Sequence, residues 1–109
     1  MRLVPEGPDR TRFELEHVAH VTAERWAEFG PGATGVGWDL LLVGLGLHLA
    51  SGQPVNPEEF QACSASEEGG RFITLSSQAW CDASIAAGTD PEAAEAAAAR
   101  TTAAYTGAG

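Results

Sequence analysis

Residues 34–50, TGVGWDLLLVGLGLHLA, constrain this chain more than any other stretch. Leu or Val occupies positions 36, 40, 41, 42, 43, 45, 47 and 49, which leaves Asp39 and His48 as the only strongly polar side chains of the run. Wound as a helix, Trp38, Leu41, Leu42, Leu45 and Leu49 form one stripe, and Leu40, Val43 and Leu47 cover the opposite side. A helix that is apolar all round must be covered all round. At 1.5 Å rise per residue its roughly seventeen residues span about 25 Å, and Asp39 and His48 shorten the apolar part, so the sequence predicts a buried core helix and not a membrane crossing.

What can cover such a helix depends on the rest of the chain. The 109 residues suit one domain, and 44% hydrophobic against 19% charged residues is a globular balance. Fifteen acidic residues face six basic ones, all Arg, and a formal charge of −9 repels nucleic acid and anionic membranes. Neither is expected as a partner. Cys63 and Cys81 are far apart, with no second pair to suggest a metal knuckle. Met1–Val4 runs straight into Pro5-Glu6-Gly7-Pro8, with no secretory apolar segment, so two reduced thiols and a cytoplasmic protein are expected.

In chain order, residues 2–4 form a short strand and 5–10 a turn rich in Pro, Gly and Asp. Residues 11–21 alternate with period two: Phe13, Leu15, His17, Ala19 and Val21 on one face, Arg12, Glu14, Glu16, Val18 and His20 on the other. This predicts a half-buried strand paired with residues 2–4 as a hairpin, which alone is marginal in water. Thr22 is the expected N-cap of a short helix to Phe29, closed by Gly30-Pro31-Gly32 before the central helix, which stops at Ser51-Gly52. Asn56-Pro57-Glu58-Glu59 starts a third helix that fades by residues 67–70. Apolar residues spaced three and four apart between Arg71 and Ala87 predict a fourth. Thr89-Asp90-Pro91-Glu92 then opens a fifth, which carries eight alanines between 93 and 104 and should dock by close approach of small side chains.

Several residues invite chemical readings, each set beside a plainer one. His17 and His20, three apart on a strand, point to opposite faces and cannot jointly chelate a metal without a bulge. His17 is either a hydrogen-bonded inward side chain or a polar group in a cavity wall, able to orient a ligand or move a proton. Glu14 and Glu16 read as a solvated face, and Trp26, Trp38 and Trp80 as core, or else as an aromatic ligand site. Cys81 has no adjacent base to make it a nucleophile, and the serines (51, 64, 66, 76, 77, 84) sit in no nucleophile elbow. Gly35-Val36-Gly37 before a helix lacks the third glycine, the Lys and the downstream acid of a phosphate loop.

The strand pair RLVPEG and TRFELEH, a short Trp-containing helix, and then GPGATGVGWDLLLVGLGLHL resemble the C-terminal half of the SRPBCC (START-like, polyketide cyclase-like, helix-grip) superfamily. The branch it looks like is named for the activator of the heat-shock chaperone ATPase. The tail SSQAWCDASIAAGTDPEAAEAAAARTTAAYTG is similar to helical extensions in actinobacterial members. The resemblance implies that the last two strands lead into a long helix lying across a curved sheet and walling a cavity. Here Met1 falls at the penultimate strand of that pattern, so the covering sheet is mostly missing. Either the chain is a fragment or late-start form of a longer protein, or the C-terminal helices and a second copy supply the cover.

The resulting expectation is an α+β, predominantly helical chain of partial helix-grip architecture, a hairpin followed by a long buried helix and further helices. Residues 1–53 are the helix-grip half and 54–109 a helical extension packed on it. The first functional reading is a non-catalytic module, homodimeric or binding a small hydrophobic molecule, lined by Phe13, Leu15, His17, Trp38, Leu41, Leu42 and Leu45. The second is a polyketide cyclase or aromatase-like enzyme, with His17 and Asp39 as its acid/base candidates. A third, chaperone co-regulation, is implied by the branch name alone. No metal and no cofactor are called for.

Overall fold

A computed structural model describes residues 1–107 and gives two strands and five helices: β1 (Arg2–Gly7), β2 (Arg10–Glu14), α1 (Ala23–Phe29), α2 (Gly32–Ser51), α3 (Pro57–Ser64), α4 (Glu67–Ala86) and α5 (Pro91–Thr106). The α+β, mostly helical class and the N-terminal hairpin are as expected. Local chemistry sets most boundaries. Thr22, Asn56, Ser66 and Asp90 each cap a helix by accepting a backbone N–H three residues on, and Pro57 and Pro91 stand in first turns whose N–H groups need no partner. Gly30, Gly52 and Gly107, at φ of 61°, 72° and 72°, end α1, α2 and α5 in the left-handed region that glycine enters freely.

Two boundaries differ from those the sequence predicts. The strand expected to reach Val21 ends at Glu14, because β1 pairs only as far as Arg2 opposite Glu14 and, among the described residues, no third strand takes up the ladder. Residues 15–22 carry no regular secondary structure and pair with no strand, so the two-face argument for His17 and His20 does not apply to them. The fourth helix starts at Glu67, not Arg71. Ser66 caps it, and Gly69 is required because a Cβ there would overlap the carbonyl groups of Cys63 and Ser64 where α3 ends.

The packed centre lies between α4 and α5, with α1 against α5 and α2 against α4. Its apolar part is Val36, Ile73, Cys81, Ala94 and Ala97, and Ser76, Ser77, Ser84 and Thr101 are buried among them. Small side chains bring the α5 backbone close, as the alanine run predicts. Several polar contacts fix α5 in place. Arg100 donates from Nε to the Glu28 carbonyl (2.6 Å) and from Nη2 to that of Ala27 (3.0 Å). The Thr101 hydroxyl reaches the Phe29 carbonyl at 3.1 Å, and the Tyr105 hydroxyl donates to that of Ala33 at 2.5 Å. A guanidinium on the last carbonyls of α1 also complements the negative end of its dipole.

The burial expected of α2 is not there. Only Gly32, Gly35 and Val36 are buried in it, and past Asp39 the helix runs out of the bundle, with Leu41 61%, Leu47 54% and Leu49 73% exposed. The physical reason is that the described residues hold one two-stranded hairpin, itself exposed on both faces, and no sheet lies across the leucines. The helix is also longer than expected. At twenty residues it spans about 30 Å, and by length and composition it is long and apolar enough to cross a membrane, with mean hydropathy 1.4 and 11% of its window buried. The radius of gyration, 15.6 Å, exceeds the about 13 Å expected of a compact chain this long, which matches a hairpin and a helix end that stand away from the bundle.

Candidate functional site

The run from Phe13 to Thr22 passes over the N-terminal halves of α1 and α2 and leaves a solvent-open cleft of about 800 Å³ between them and α4. Its lining includes Phe13, Leu15, His17, Trp26, Trp38, Asp39, Leu42 and Trp80. All three tryptophans therefore face one space. The core role weighed for them does not hold for Trp26, which is 47% exposed.

One latch holds residues 13–22 to α2. Trp38 Nε1 donates to His17 Nδ1 at 2.9 Å, and the two rings meet edge to face, 5.7 Å between centroids and 85° between planes. Because the indole nitrogen can only donate, Nδ1 must be the unprotonated nitrogen of a neutral ring, which places the ring proton on Nε2. Among the described residues no side chain or backbone group hydrogen-bonds Nε2, so it is available as a donor.

A second lock sits at the cleft floor. Asp39 Oδ2 accepts from Ser76 Oγ at 2.6 Å and from Trp80 Nε1 at 2.9 Å, joining α2 to α4. Trp80 can lie this close only because position 35 is glycine, since a Cβ on Gly35 would overlap the indole ring. Charge-assisted bonds of this kind are the stronger class of hydrogen bond. Asp39 is thus engaged in holding two helices together, a use that the sequence reading of Asp39 as an acid/base candidate did not foresee. The signal in the sequence was Ser76 and Trp80, four apart on one face of α4.

Of the residues predicted to line a ligand site, Phe13, Leu15, His17, Trp38 and Leu42 come together in the cleft, and Leu41 and Leu45 lie outside it on the projecting part of α2. His20, Thr22 and Arg25 join the lining without having been assigned there from the sequence, and Trp26 and Trp80, read as core or else as an aromatic ligand site, line it as well. His20 shares the cleft because the strand breaks off before it. Glu14 is tied by Arg12 at 2.8 Å and Arg2 at 3.8 Å on the hairpin, which fits the solvated-face reading.

A smaller recess of about 70 Å³ between α1, α4 and α5 is lined by Ser77, Cys81, Ser84 and several alanines. Cys63 and Cys81 are both free, the first exposed and the second buried. Burial first, and then the carboxylates of Glu95 and Asp82, push the Cys81 thiol above its ordinary pKa, which makes it a poor nucleophile. Among the described residues no three His, Cys, Asp or Glu side chains gather as a metal site.

Comparison with known proteins finds no matching family model, no matching curated protein and no matching solved structure.

Proposed function

We propose that this chain is a helix-grip-like module of the SRPBCC type that binds a small, largely apolar molecule in the cleft under residues 13–22. The observation that carries this reading is the cleft itself: about 800 Å³, walled by Phe13, Leu15, Leu42 and three tryptophans, with His17 Nε2 as a free donor beside the polar side chains of His20, Thr22 and Arg25. Ligand sites of small molecules have volumes of about 300–1,000 Å³, apolar walls and a few fixed polar groups. The matching ligand is a flat or branched apolar body with one oxygen able to accept from His17. Asp39 is committed to Ser76 and Trp80, which favours binding over a two-residue acid/base reaction. The acidic charge and the Asp39 carboxylate inside α2 support a cytoplasmic setting over a membrane-embedded one.

The test is a fluorescence titration with 1-anilinonaphthalene-8-sulfonate and with 2-naphthol, reading the indoles that line the site. Saturable quenching at one molecule per chain, weakened about tenfold or more in Trp38→Ala, is the expected result. Unsaturable binding, or binding unchanged by the substitution, overturns it.

A further inference from the structure

The projecting end of α2 is the largest unexplained feature of the surface. From Leu41 to Ala50 no residue is buried, and six of these ten are Leu or Val, although Val55 and Phe60 come near the helix at Gly44. Its only polar side chain there, His48, is turned back to donate from Nδ1 to the Gln53 carbonyl at 2.7 Å. Gly46 has no atom within 4 Å of where its Cβ would stand, which lets another backbone come near. The accessible surface totals 8035 Å², against about 5,700 Å² for a folded monomer of 11.3 kDa. The excess, about 2,300 Å² over the whole molecule, is shared by the exposed hairpin and the projecting end of α2, and it exceeds the roughly 800 Å² each partner gives to a standard interface. A run of exposed leucines this long is more than a monomer ordinarily leaves in water.

We infer that a second copy of this chain covers α2 from Leu41 to Leu49, and that in doing so it closes the mouth of the cleft beside Leu42. Charge favours this occupant. The stretch carries no Asp, Glu, Lys or Arg, so it offers nothing to a charged partner, and it is complementary to itself. A chain of net charge −9 is repelled by anionic lipid surfaces, which disfavours a membrane as the cover. Leu41, Leu45 and Leu49 repeat every four residues, the ridge that packs into the grooves of a like helix. Leu42 belongs both to the cleft lining and to the bare surface, so a partner helix laid along α2 completes the open side of the cleft. The closing of the cleft rests on the ligand-binding reading; the pairing does not.

The experiment is sedimentation velocity with light scattering on the whole 109-residue chain across micromolar concentrations, with circular dichroism to verify helix content. The wild type is expected at twice 11.3 kDa. Leu45→Glu with Leu49→Glu should raise the dimer dissociation constant about 100-fold or more while helix content persists. Val18→Glu, at a site 83% exposed and off α2, should leave the mass unchanged and serves as the second variant. A folded wild-type monomer overturns the proposal. So does a dimer indifferent to the glutamates or a polydisperse aggregate at every concentration, and so does a monomer that floats with phosphatidylcholine vesicles, which assigns the helix to lipid. Anilinonaphthalene sulfonate titrated into wild type and double variant separates the two readings. Tighter binding by the dimer supports closure, and equal binding by both removes it. A dimer with no site-bound probe leaves the pairing standing and sinks the ligand reading alone.

Discussion

Trp80 gives its indole N–H to Asp39 Oδ2 across 2.9 Å, so the largest side chain of α4 is anchored by the one carboxylate of α2. The bond does two things at once: it satisfies a polar atom in a part-buried place, and it fixes the angle at which the cleft floor meets the wall. Removing the acceptor strands both the Ser76 hydroxyl and the indole. Asp39→Leu should therefore lower stability by about 2–3 kcal/mol in urea unfolding, and Asp39→Asn, whose amide oxygen can still accept, should recover much of it. Equal losses in the two variants would show that the charge and not the acceptor matters.

Adjacent glycines at the start of α4 should respond in opposite directions. A methyl group on Gly69 runs into the carbonyls of Cys63 and Ser64, and one on Gly70 meets nothing within 4 Å. Gly69→Ala is expected to destabilise by about 1–3 kcal/mol. Gly70→Ala should be neutral or stabilise by up to about 1 kcal/mol through helix propensity. Paired thermal melts decide the matter, and a shared sign would mean that α3 does not end against α4 as described.

The His17–Trp38 latch is solvent-exposed, so its loss should cost little global stability, about 0.5–1 kcal/mol, and much local order. His17→Ala should speed amide hydrogen exchange of residues 15–22 at least several-fold and leave α4 and α5 untouched. Uniform acceleration would place His17 in the global core instead.

The two thiols should separate cleanly. At pH 8 a disulfide reagent should modify exposed Cys63 at once and buried Cys81 only on unfolding. For Cys81 the folded pKa lies above the unfolded value of 9.0, so the native state holds the proton more tightly. Its contribution to stability is full below about pH 9 and is lost as pH rises through the folded value. Cys81→Ser should flatten that alkaline decline, and a decline of unchanged steepness would locate the titrating group elsewhere.

Much of this was legible in the residues. Thr22, Asn56 and Asp90 announced their helices because a capping oxygen followed by Pro or Glu serves few other purposes. Ser66 was missed because Gly69-Gly70 reads locally as a break, and only contact with the end of α3 gives the first of those glycines its reason. The alternation of residues 11–21 was real but insufficient: period two records which side of the chain is apolar, and a strand also needs a neighbour, which Leu15 onward lacks. Likewise the leucines of α2 state a need for cover without stating who provides it. The cleft was half legible, since Phe13, His17 and Trp38 were named from the pattern, but Asp39, Ser76 and Trp80 meet across 37 and 41 residues.

The grip of Arg100 on the carbonyls of Ala27 and Glu28 spans more than seventy residues of chain. During synthesis, the end of α1 waits for residue 100 to leave the ribosome before its last carbonyls find their partner. Contacts this far apart in sequence form late and slowly. For the whole of that interval the apolar length of α2 is already made, uncovered and in the company of neighbouring nascent chains, and α5 on arrival leaves Leu41 to Leu49 as exposed as before, so the hazard ends only when α2 itself is covered.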